Sequence, residues 1–143
     1  MNIDSDKAAI QAVLDTVKRG LHEKNPTAVA SQFTPDAVLY DLAPPLSHDI
    51  NVGGLKAWFD TWQGPVDQQM PDVKIVVSGN LAICYGLAQL TATTNPGGER
   101  AQWWQRSTTC LSKIDGRWKI IHEHTSVPFH MDGSFRAAID LQP

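Results

Sequence analysis

At 143 residues the chain has the length of one domain, and its 42% hydrophobic and 19% charged residues exclude an intrinsically disordered protein. A net charge of −3, with no basic run longer than Lys18-Arg19, excludes the concentrated positive face that nucleic acid requires. No apolar run approaches the ~20 residues that span a bilayer, and the acidic start MNIDSDKAAI is unlike a signal peptide, so no membrane partner and a cytoplasmic location are expected.

Asp4, Ser5 and Asp6 offer caps and negative charge at the start of a first helix, whose Ile10, Val13, Leu14, Val17 and Leu21 make one apolar stripe. Asn25-Pro26 opens a short second helix, with Val29 and Phe33 one turn apart and Thr34-Pro35-Asp36 closing it. Residues 37–42 form a strand that Pro44-Pro45 ends, because proline cannot donate to a ladder. After Gly53-Gly54 a third helix carries Leu55, Trp58, Phe59 and Trp62 on one face, and Gly64-Pro65 terminates it. Long strands follow at 73–77, 81–93, 102–113 and 117–127, separated by turn residues.

Helices first and a meander of strands last predict a single α+β domain over residues 1–143. Long strands twist, and helices packed on one side of them predict a cone whose wide end is a pocket for a small organic ligand. Cys84 and Cys110 read as reduced core thiols. His122-x-His124, even with His48 or Asp41 nearby, is too incomplete a ligand set for a metal, and no cofactor is expected.

Register decides which side chains enter the pocket, since a one-residue slip reverses every side chain. A three-residue loop Ile114-Asp115-Gly116 pairs Lys113 with Arg117, and then Thr108 with His122 and Arg106 with His124. One face then carries Trp104, Arg106, Thr108, Cys110, Trp118, Ile120, His122 and His124. A two-residue Asp115-Gly116 turn would separate Arg106 from His124. The three-residue loop is preferred because it buries Cys110 rather than Lys113. The opposite face would hold Trp103, Leu111, Ile121 and Thr125, an apolar surface that predicts a homodimer.

The stretches Asp115-Gly116-Arg117-Trp118-Lys119-Ile120 and His122-Glu123-His124-Thr125-Ser126-Val127-Pro128-Phe129 resemble the SnoaL-like branch of the nuclear-transport-factor-2-like (NTF2-like) superfamily. Tyr40-Asp41-Leu42-Ala43-Pro44-Pro45-Leu46, followed by Gly54, is similar to the same branch, and the resemblance covers nearly the whole chain. It implies the cone-shaped fold, three N-terminal helices on a curved antiparallel sheet, in a superfamily that includes ketosteroid isomerases, scytalone dehydratase and polyketide cyclases. Asp41 matches the position of the isomerases' general base. Val17 and Thr108 or Thr109 stand where those enzymes carry a tyrosine and a second aspartate, so steroid isomerase activity is not implied.

The expected chemistry is that of a cofactor-independent isomerase, cyclase or dehydratase. Asp41 would remove a proton next to a carbonyl, and Arg106 with His124 would stabilise the oxyanion that forms. Trp58, Trp62, Tyr85, Trp104, Thr108, His122 and His48 are the expected ligand contacts. The alternative is a ligand-binding or dimerisation module of the same fold without catalysis.

Overall fold

The computed structural model describes residues 2–143. Helix α1 (Ile3–Glu23) is capped by Asn2, whose side chain accepts from the backbone N–H groups of Asp4 and Ser5. Asp6, expected among the caps, is instead buried: its Oδ1 accepts from Lys113 Nζ at 2.9 Å and from Trp118 Nε1 at 3.1 Å. The short α2 (Pro26–Ala30) starts on an Asn25 cap, as the Asn-Pro pair predicts. It packs tightly on α1, because a Cβ on Gly20 would lie 2.7 Å from Val29 Cγ2.

Strand β1 (Phe33–Tyr40) begins earlier than the sequence reading places it. Pro35 does not break it, because β1 is an edge strand whose register with its neighbour shifts between Phe33 and Val38, sparing the missing donor. Helix α3 (Val52–Phe59) stops before Trp62, which opens β2 (Trp62–Gln69). That strand went unrecognised because Gly64-Pro65 reads as a terminator. Here the pair sits in another edge strand, where Gly64 adopts a φ of 73° and the pairing is irregular between Gln63 and Asp67. The remaining strands, β3 (Lys74–Ser78), β4 (Leu81–Thr94), β5 (Arg100–Ile114) and β6 (Arg117–Ser126), match the predicted meander.

The six strands form one open sheet in the order β1-β6-β5-β4-β2, with β3 also on β4; β1 runs parallel to β6 and the other pairings are antiparallel. The fold is thus the expected α+β cone, with α1 lying across the concave face. Ile10 and Val13 of α1 share one buried core with Leu111, Trp118 and Ile120. Beyond Ser126 the tail folds back through a Phe129–Ala137 bridge.

The last hairpin departs from the preferred register. The turn is the two-residue Asp115-Gly116, with φ of 50° and 78°, so Ile114 pairs with Arg117 and Lys113 with Trp118. The argument against an inward Lys113 fails because Asp6 is there to receive its charge. A second irregularity follows: Leu111 pairs with Ile120 but Cys110 with His122, leaving Ile121 as an extra residue on β6. Trp118 and Ile120 face inward before this bulge. After it the inward residues are Glu123 and Thr125, and the histidines on either side of Glu123 face out.

Candidate active site

The wide end of the sheet encloses a cavity of about 630 Å³, within the range that holds a small organic molecule. Its roof is the C-terminal half of α1 together with Leu55 and Trp58 of α3. Its floor is the inward row of β5, Trp103, Gln105, Ser107 and Thr109, flanked by Leu90 of β4 and by Glu123 and Thr125 of β6. Trp58, Trp62 and Trp103 wall one side, with ring centroids 6.2 Å apart for both Trp58–Trp62 and Trp62–Trp103.

Four carboxyl groups line this cavity, Asp15, Asp41, Asp49 and Glu123, and two of them, Asp41 and Glu123, stand together at the sheet. Alternation along β1 buries Ala37 and Leu39 and carries Asp41, the next residue but one, onto the same face beside β6. Asp41 Oδ1 accepts from the backbone N–H of Leu42 at 2.8 Å and from the Thr125 hydroxyl at 3.1 Å. His48 is brought over it by the return of the proline-rich loop, which bridges Leu39 through two backbone hydrogen bonds. Its Nδ1 lies 2.6 Å from the Asp49 carbonyl, an acceptor, so Nδ1 carries a proton and Nε2 is the atom presented to Asp41 Oδ2 at 3.6 Å.

Glu123 stands one strand pair deeper, opposite Thr109. Its carboxyl is pushed up from the ordinary 4.5 to about 7, first because enclosure by protein disfavours the charged form and then because the Asp41 carboxylate repels it; a bond from Thr109 works in the opposite direction. Near neutral pH the pair therefore holds one removable proton, on Glu123, beside a carboxylate already stabilised by two hydrogen bonds.

The expected site is only partly assembled. Asp41, His48, Trp58 and Trp62 line the cavity. Arg106, Thr108, His122 and His124 do not, because the two-residue turn and the Ile121 bulge put all four on the outer face. There Arg106 Nε donates to Ser126 Oγ at 3.0 Å, and His122 Nδ1 donates to the Val38 carbonyl at 2.6 Å. Tyr40 meets His122 and His124 edge-on, with centroids 4.8 and 5.4 Å away. Tyr85 and Trp104 are also outside, bordering a separate hollow of about 240 Å³. The surface assigned to a dimer contact is reversed in the same way: Trp103, Leu111 and Thr125 face inward.

The chain matches the SnoaL-like domain family over residues 10–130, most of its length. It is a SnoaL-like domain. No curated protein matches it. Among solved structures, an NTF2-like protein from Pseudomonas putida KT2440 shares 20% identity with this domain, covers 98% of both chains and superposes with a TM-score of 0.85. An NTF2-like superfamily protein from Salmonella enterica is similar over 93% of this chain and 98% of its own, with 18% identity and a TM-score of 0.76. A hexachlorocyclohexane dehydrochlorinase, LinA type 2, covers 85% of this chain and 84% of its own at 15% identity, with a TM-score of 0.73. At these identities the likeness establishes the NTF2-like fold alone, as the motifs in the sequence imply.

Sequence reasoning missed several cavity residues of this SnoaL-like domain: Glu123, Thr125 and the inward row Trp103, Gln105, Ser107 and Thr109. The signal was present. From 103 to 111 every second residue is Trp, Gln, Ser, Thr and Leu, an alternation as regular as the one that was followed, but the preferred register turns this face outward as the dimer surface. Gln105, Ser107 and Thr109 are all at least nine-tenths buried.

Proposed function

We propose that this SnoaL-like domain is a cofactor-independent enzyme that moves a proton on a flat, mostly apolar carbonyl compound. The observation that carries the reading is the pair of unlike carboxyls in one enclosed cavity: Asp41, hydrogen-bonded as an anion, and Glu123, held protonated up to about pH 7. A carboxylate beside a carboxylic acid can remove a proton from one carbon and return one to another atom of the same ligand, which is the net chemistry of an isomerisation, a cyclisation or the first half of a dehydration. Asp41 is the base, as the sequence implies. Glu123 takes the acid role, and the oxyanion role assigned to Arg106 and His124 is withdrawn, since neither side chain lies on the cavity face. The tryptophan wall suits an aromatic or alicyclic ring. The dehydrochlorinase neighbour, whose name describes an elimination, is compatible with a proton-removing base in this fold.

The test is proton exchange. A panel of cyclic ketones is incubated with the protein in deuterated buffer and followed by NMR for loss of the α-proton signals. Asp41→Asn is expected to slow the exchange at least about a hundredfold, the usual range for losing a positioned base. Exchange that survives this substitution unchanged removes Asp41 from the mechanism.

We further infer a homodimer through the outer sheet face, though through other residues than the sequence suggested. Ile83, Tyr85 and Leu87 on β4, and Val38 and Tyr40 on β1 two strands away across β5 and β6, stand there half-exposed, apolar surface that a free monomer would leave to water.

A further inference from the structure

The strand beside the carboxyl pair, β5, holds two hydrogen-bond donors with nothing to donate to. Gln105 is 94% withdrawn from solvent, and its Oε1 accepts from Trp103 Nε1 at 2.8 Å. An indole N–H can only donate, so this bond fixes the amide orientation and leaves the Gln105 NH₂ group free. Two positions along the same strand, Ser107 is equally buried, and its hydroxyl makes no hydrogen bond among the described residues. Both side chains line the cavity, and neither is among the buried polar atoms sealed off without a partner, so both donors stay open to the hollow. A polar group this deep is ordinarily satisfied, and two adjacent ones left open to a cavity mark the place of a ligand acceptor.

Register fixes what lies beside them. Ser107 pairs with Thr125, the residue whose hydroxyl holds Asp41, and Thr109 pairs with Glu123. Directly opposed residues on antiparallel strands have Cβ atoms about 5 Å apart. An oxygen held by Ser107 and Gln105 would therefore have its neighbouring carbon within reach of Asp41. The donors are neutral, and the described lining carries four carboxyl groups, Asp15, Asp41, Asp49 and Glu123, against one lysine, Lys18, and no arginine.

We propose that Gln105 and Ser107 form an oxygen-docking subsite that accepts the carbonyl or hydroxyl oxygen of an uncharged ring compound and rejects carboxylates. This rests on the enzymatic reading above and narrows its substrate class to neutral oxygenated rings. A carboxylate entering the same place would face Asp41 and Glu123 in a lining where carboxyl groups outnumber the single lysine, Lys18 on the α1 roof, whereas a ketone or phenol oxygen finds two donors at no cost in charge.

The experiment uses the tryptophan wall as its reporter. Quenching of tryptophan fluorescence is titrated with three probes on one ring system: 2-naphthol, 2-methylnaphthalene and 2-naphthoate. The expected order is 2-naphthol tightest, 2-methylnaphthalene about tenfold weaker for the lost hydrogen bonds, and 2-naphthoate weakest. Ser107→Ala removes one donor with little change in volume. Gln105→Glu keeps the oxygen that Trp103 needs but loses the NH₂ donor. Each is expected to weaken 2-naphthol severalfold and leave 2-methylnaphthalene unchanged, which also reports that the variant is folded. The subsite falls if 2-naphthoate binds as well as 2-naphthol, or if both variants keep the wild-type preference for 2-naphthol. Should none of the probes quench, the subsite and the ligand-pocket reading beneath it fall together. Binding of all three alike overturns the subsite alone.

Discussion

Replacing Glu123 by glutamine is expected to stabilise the domain, and only at high pH. In the folded chain this carboxyl ionises near 7 rather than 4.5, because enclosure and the neighbouring Asp41 both disfavour its charged form. A displacement of that size corresponds to about 3 kcal/mol between the two protonation states. Between those two pH values the folded protein keeps a proton that the unfolded chain has already released. Stability must then fall as pH rises, starting near 4.5 and levelling off above 7, since the slope follows protons bound in the unfolded state minus those in the folded state. Glutamine has no charge to confine, so Glu123→Gln escapes that loss. It is expected to match the wild type at pH 4 and to exceed it by up to about 3 kcal/mol at pH 8, a gain of roughly 6–12 °C in Tm for a chain of this size. Urea unfolding of both proteins at pH 4, 6 and 8 measures the difference directly. Parallel stability curves, with the same separation at every pH, would show that Glu123 ionises normally, and the acid role assigned to it would go as well.

Three further predictions concern the frame around the site. Gly20→Ala would put a Cβ 2.7 Å from Val29 Cγ2, and an overpacked contact of this kind costs about 1–3 kcal/mol against at most ~1 kcal/mol gained in helix propensity. Thermal unfolding is expected to show a drop of several degrees, largely recovered by adding Val29→Ala; an unchanged Tm contradicts the close packing of α1 on α2. Asp6 has its carboxyl held below 3.8, chiefly by the Lys113 bond and then by Trp118, so its contribution is present above that value and fades as pH falls through the lowered one. Asp6→Asn is therefore expected to unfold at lower temperature than the wild type at pH 7, by a margin that narrows at pH 3; a constant margin would mean that charge plays no part. Leu87→Glu, at the half-exposed outer face, is expected to convert a dimer into a folded monomer in analytical ultracentrifugation, and an unaltered sedimentation coefficient would move the interface elsewhere.

The fold was legible in the sequence because its signals are local. The α1 stripe at Ile10, Val13, Leu14 and Val17, the Asn25-Pro26 cap and the turn residues between strands each act within a few residues of themselves. Pro35 and Gly64-Pro65 misled because a proline is a breaker only where its missing donor is needed, and both strands lie at sheet edges. Asp41 was legible because the motif around it is, and because β1 alternates regularly from Ala37 to its end. The rest of the site was not, since it depends on two facts that no nearby residue announces. Lys113 can turn inward only because Asp6, more than a hundred positions earlier, lies across from it. Ile121 is extra only relative to a partner strand, and a single sequence carries no sign of which residue will be left unpaired.

That unpaired isoleucine has a consequence for how such a hollow changes character. His122, Glu123 and His124 alternate imidazole, carboxyl, imidazole, so a half-step of the strand decides which chemistry is enclosed and which is left facing out. Gaining or losing one amino acid upstream would trade an acidic interior for a basic one with every side chain still in place. Insertions and deletions, more than substitutions, are the economical route by which a scaffold of this kind would acquire a different reaction.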